Sequence, residues 1–81
     1  MPKLKVISGK DTVKIFENFD FAVVSQRGSH IKLKRMTIIG TKQVLTVPNH
    51  KKIDRSTLKS IINQVSQYIP LLELRACFYN K

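Results

Sequence analysis

The chain contains two histidines, His30 and His50, and both sit among cations. His30 closes the run Arg27-Gly28-Ser29-His30, and Lys32 and Lys34 follow it at alternate positions. Imidazole is the side chain whose ordinary pKa lies nearest neutrality, so it suits the task of taking a proton from a hydroxyl. Fixed positive charge suits a phosphate whose oxygens gain charge as it reacts. Histidine as base, with Arg27, Lys32 and Lys34 as phosphate partners, could therefore cleave a ribose-phosphate backbone without a metal. The bland alternative is an exposed strand histidine among solvated lysines. The local pattern alone leaves both open.

His50 belongs to a second basic run, Pro48-Asn49-His50-Lys51-Lys52, which continues to Arg55 and Lys59. Positive charge ahead of a helix opposes the helix dipole. Its presence there fits a phosphate held by helix N-terminal amides and cationic side chains; a solvated charged loop is the alternative. His50 is read as a supporting residue that binds RNA, assists a proton transfer or ties down its loop.

No other arrangement competes. Cys77 is the lone cysteine, so no disulfide forms within the chain, and with two histidines at unrelated spacings it falls short of the usual four zinc ligands. Gly9, Gly28 and Gly40 are isolated, and Asp11, Glu17, Asp20, Asp54 and Glu73 form no metal pattern. No metal and no cofactor are expected.

Fifteen Lys and Arg against five Asp and Glu give a net charge of +10. That excess repels itself and calls for an anionic partner. The 81 residues make one domain, 1–81, and 42% hydrophobic content separates it from a disordered basic tail. No apolar run approaches the roughly 20 residues of a membrane span. Lys and Asp interrupt every apolar run between Met1 and Lys14, so no secretory signal is read there. A cytoplasmic location without membrane contact is the expectation.

These residues need elements to position them. Residues 1–7 are a basic lead-in. Ser8 stands three residues before Asp11, at capping-box spacing, and Thr12, Ile15, Phe16 and Phe19 form a helical stripe. A helix is expected over about 9–18. Phe21 to Gln26 reads as a strand, Arg27-Gly28-Ser29 as a turn, and His30 to Met36 as an alternating strand. In that strand Ile31 and Leu33 share one face, and His30, Lys32 and Lys34 the other. Gly40 marks a reversal, Lys42 to Val47 a third strand, and Pro48 its end. Ser56 is the expected cap of a second helix over about 57–66, striped by Leu58, Ile61, Ile62 and Val65. Pro70 opens a short third helix, about 69–76. The order is α-β-β-β-α with a short C-terminal helix. Two apolar helix stripes and one apolar sheet face make a two-layer α+β sandwich. Its other sheet face stays open and carries His30, Lys32 and Lys34.

The sequence also resembles a known family, the HicA (YcfA-like) toxins. The likeness lies in Leu4-Lys5-Val6-Ile7-Ser8-Gly9-Lys10-Asp11, in Val23-Val24-Ser25-Gln26 with Arg27-Gly28-Ser29-His30, in Leu45-Thr46-Val47-Pro48-Asn49-His50, and in Ser56-Thr57-Leu58-Lys59-Ser60-Ile61-Ile62-Asn63-Gln64. The resemblance runs in order through about 1–66 and implies a double-stranded-RNA-binding-domain-like fold. It implies metal-independent endonucleolytic cleavage of mRNA, with His30 catalytic, and a cognate HicB-type antitoxin that covers the site. The free toxin is expected to be monomeric. Gly28, Ser29, His50, Lys51, Lys52, Arg55 and Lys59 join Arg27, Lys32 and Lys34 as expected RNA contacts. The chain departs from the family in having Ser56 for the usual Gly, a longer hairpin around Gly40, and Val65-Ser66-Gln67-Tyr68-Ile69-Pro70 after the second helix. Two other readings of the charge are a non-catalytic RNA-binding module and a module that binds only an acidic protein.

Overall fold

A computed structural model describes residues 3–80. The basic lead-in holds a short strand, β1 (Lys3–Leu4), which pairs antiparallel with β5 (Tyr79–Asn80). After it, Ser8 caps the first helix as expected. Its Oγ accepts from the Asp11 N–H at 3.1 Å, which satisfies an amide left without a partner inside the helix. The helix α1 (Gly9–Glu17) buries Thr12, Val13 and Phe16. Thr12 is wholly buried and donates its hydroxyl to the Ser8 carbonyl at 2.8 Å, so burial leaves no polar group unmet.

The three expected strands form one antiparallel meander, β2 (Ala22–Arg27), β3 (His30–Met36) and β4 (Lys42–Pro48), in that spatial order. Ile31, Leu33, Leu45 and Val47 are buried on one face. Against them lie α1, α2 (Arg55–Val65) and α3 (Leu71–Phe78), which supply Phe16, Leu58, Ile61, Ile62, Val65, Leu74 and Phe78. Phe16 sits at the centre, with ring centroids 6.0 Å from Phe21 and 5.5 Å from Phe78. The result is the expected two-layer α+β sandwich.

Two boundaries differ from expectation. The cap residue of α2 is Asp54, not Ser56, and Arg55 is the first helical residue rather than part of the loop. Both Asp and Ser suit a cap position. Here Ser56 lies inside the first turn and donates its hydroxyl to Asp54 Oδ2 at 2.6 Å. The carboxylate also places negative charge at the helix start, where the dipole favours it. The third helix runs later than 69–76, with Pro70 outside it as the cap residue, because Leu74 and Phe78 are its buried side chains.

Arg35 closes one end of the sandwich. Its guanidinium donates to Gln43 Oε1 at 2.7 Å, to the Phe19 carbonyl at 2.9 Å and to the Tyr68 carbonyl at 3.3 Å. It also lies 5.0 Å from the centroid of the Phe21 ring. One side chain thus joins β3, β4, the turn after α1 and the turn after α2.

Candidate active site

Directly opposed residues on antiparallel strands project to the same face. The register therefore builds the open face in rows: Arg27 beside His30 beside Pro48, then Ser25 beside Lys32 beside Thr46, then Ala22 beside Lys34 beside Val44. A register shift between Val23 and Ser25 makes this possible. The extra residue, Val24, lets Val23 turn to the helix side while Ser25 and Arg27 stay on the open face. Gly28 turns the hairpin at φ +56°, a left-handed conformation that a Cβ would strain. The Gln26 side chain donates to the Gly28 carbonyl at 3.0 Å and braces the turn.

His30 is exposed, with Arg27 directly across the hairpin, so their Cα atoms are about 4.5–5.5 Å apart. Lys32 is exposed and Lys34 half-buried on the same face. This arrangement can hold a phosphate between Arg27 and Lys32 with the imidazole beside it.

The second basic run is fastened to the first through the backbone. The Asn49 N–H donates to the Ser29 carbonyl at 2.6 Å, and the Gly9 N–H donates to the His50 carbonyl at 2.8 Å. Gly9 is there because nothing larger fits. A Cβ on it would lie 2.1 Å from the Pro48 carbonyl oxygen and 2.9 Å from Asn49 Cα. The start of α1 thus holds the end of β4, and the end of β4 holds the turn that carries His30.

The cations of this run do not gather at one point. His50 and Lys51 line a cleft of about 370 Å³ with Ser8, Lys10 and Asn49 at the start of α1. Lys52 and Arg55 line a separate cleft of about 200 Å³ with Lys5, Val6 and Ile53. Arg55 and Lys59 lie one turn apart on α2, exposed in the helical layer, on the side of the sheet away from Lys32 and Lys34. Lys5 and Lys10 join these basic clefts although the sequence analysis did not single them out. Neither has a local signal, since only the folded approach of chain segments places it there.

Among the described residues, no three His, Cys, Asp or Glu side chains gather as metal ligands. Cys77 is a free, half-buried thiol packed against the core. No helix among those residues is long and apolar enough to cross a membrane.

A family model for the HicA toxin of bacterial toxin–antitoxin systems matches residues 9–66. The matched stretch begins at the first residue of α1 and ends at Ser66, the residue that follows α2. No curated protein and no solved structure matches the chain.

Proposed function

The chain belongs to the HicA toxin family of bacterial toxin–antitoxin systems, and from that premise we propose that it is an endoribonuclease cleaving mRNA, with His30 as general base. The observation that carries this reading is the exposed row Arg27–His30, with Lys32 in the next row. His30 takes the proton from a ribose 2′-hydroxyl. The 2′-oxygen attacks the neighbouring phosphorus, the bond to the 5′-oxygen breaks, and that oxygen takes a proton from water. Arg27 and Lys32 stabilise the charge that develops on the phosphate oxygens, and Lys34 extends the track along the strand. No metal enters these steps.

Gly28 and Ser29 present the turn to the RNA. His50 and Lys51 hold phosphates flanking the cut, at the start of α1, whereas Lys52, Arg55 and Lys59 contribute at longer range. A toxin of this family has an antitoxin partner. Here that partner is a HicB-type protein that covers the His30 face. The free toxin is a monomer that acts on mRNA in the cytoplasm and inhibits translation.

The test compares purified wild-type protein and His30→Ala on a long single-stranded RNA in excess EDTA, read on a denaturing gel. Cleavage by the wild type alone, with both proteins melting alike, is expected. Equal cleavage by both would overturn the role of His30. Salt-sensitive binding by both with no scission would favour the non-catalytic RNA-binding reading.

A further inference from the structure

Strand β2 is a free edge of the three-stranded sheet. Among the described residues it ladders only with β3, and all six of its residues are exposed. Two of them are valines, Val23 at 44% and Val24 at 50% exposure. On the helix side this edge opens into a cleft of about 280 Å³ between β2 and α1. Val13, Val23 and Ile31 give the cleft an apolar lining, and Lys10 and Lys14 stand on its helical wall against the single acid Glu17.

A bare edge with unpaired amides and carbonyls is a template for another strand, and natural proteins usually blunt it with charge or cover it. Here the blunting is limited to one bulge and to Arg27 at the end of the strand. An edge beside an apolar groove is the geometry that captures extended peptides, through main-chain hydrogen bonds and pockets for alternate side chains.

We propose that the β2 edge and the α1 groove bind an extended segment of an acidic partner protein, which adds a fourth strand to the sheet. The net charge of +10 and the two lysines over the groove select an acidic chain over a basic one. Alternate apolar side chains of that segment enter the groove over Val23 and Ile31. The intervening acidic side chains fall on the open face beside Ser25 and Arg27, in the rows that also hold Lys32 and His30. The added strand thereby takes the cations that a phosphate would use. That the partner is the antitoxin rests on the toxin reading; the edge binding itself does not.

The experiment titrates the isotope-labelled full chain with the peptide acetyl-Val-Glu-Val-Glu-Val-Glu-amide and follows backbone amide signals. Expected are the largest shifts in β2 and on the facing side of α1, with smaller ones at Ile31 and Lys32 of β3, and contacts between peptide and β2 backbone protons. A peptide of the same composition in the order Val-Val-Val-Glu-Glu-Glu, and one with lysine in place of glutamate, should each bind at least about tenfold more weakly. Val23→Glu should weaken binding by a similar factor while leaving the melting curve and RNA cleavage as in the wild type. No shift at millimolar peptide, shifts centred on β4 or the hairpin tip, or equal binding of the two acidic peptides would overturn the proposal. So would a single-stranded RNA that perturbs Val23, Val24 and the facing side of α1 more strongly than the peptide does. The readout is binding, so a chain without nuclease activity tests the proposal equally well.

Discussion

Replacing Gly9 by Ala puts one methyl group into the contact that holds the start of α1 against the end of β4. The new Cβ would lie 2.1 Å from the Pro48 carbonyl oxygen, 2.9 Å from Asn49 Cα and 3.0 Å from the Pro48 carbonyl carbon. All three are backbone atoms, so no flexible side chain can swing aside. Ordinary contact begins near 3.4 Å, and the loop must retreat by more than an ångström. That retreat stretches the 2.8 Å hydrogen bond from the Gly9 N–H to the His50 carbonyl. Overpacking of this kind costs about 1–3 kcal/mol, and the weakened hydrogen bond about 1 kcal/mol more. Alanine recovers roughly 0.5–1 kcal/mol of helix propensity. The net loss is about 1–3.5 kcal/mol, which lowers Tm by roughly 4–28 °C for a domain of this size. Thermal unfolding followed by circular dichroism measures it. Gly28→Ala is the control: nothing lies within 4 Å of its Cβ, so only the cost of a left-handed residue applies, about 1–2 kcal/mol. A Gly9→Ala protein that melted within about 3 °C of wild type would refute the close-approach argument.

Three further outcomes are expected. Phe16→Ala, at the wholly buried meeting point of Phe21 and Phe78, should cost about 3–5 kcal/mol in urea unfolding. Arg35→Ala removes a part-buried cation with three hydrogen bonds and should cost about 2–3 kcal/mol. Because Arg35 lies at the sandwich end and off the open face, RNA cleavage per folded molecule should not change. The double variant Lys32→Ala, Lys34→Ala should lower the slope of log affinity against log salt by about 1.4 for an uncleavable single-stranded RNA, at roughly 0.7 per lost phosphate contact. Fluorescence anisotropy over a salt series reads that slope.

Local signals were legible in the sequence. The Ser8 cap, the alternation from His30 to Met36 and the turn at Gly28 are each set within a few neighbouring residues, and all three recur in the structure. The placement of His30, Lys32 and Lys34 on the face opposite Ile31 and Leu33 follows from the same period of two. Signals from separated segments were not legible. Asp54 and Ser56 are two cap-type residues two positions apart, and the backbone puts Asp54 at the cap without a side-chain cap hydrogen bond that the sequence could have announced. The strands β1 and β5 have two residues each, too few for any period to show. The bulge at Val24 is a property of pairing rather than of one strand. The basic run after Pro48 reads as one patch along the chain, but its direction changes within a few residues. His50 and Lys51 face one cleft, and Lys52 with Arg55 faces another.

The ladder between Lys3–Leu4 and Tyr79–Asn80, extended by the hydrogen bond from the Lys5 N–H to the Phe78 carbonyl at 2.8 Å, sets an order of events during synthesis. Closing a loop of roughly 75 residues costs on the order of 4 kcal/mol of chain entropy, more than so short a ladder returns by itself. This clasp can therefore close only once Phe78 is seated in the core. A ribosome adds about 5–20 residues per second, so the first strand waits several seconds for its mate to emerge. During that interval the hairpin bearing His30 can already form, while Phe16 lacks the cover that Phe78 provides. The nascent chain thus displays its basic turn before its ends are fastened, and a protein able to engage that turn early would meet it beside the ribosome.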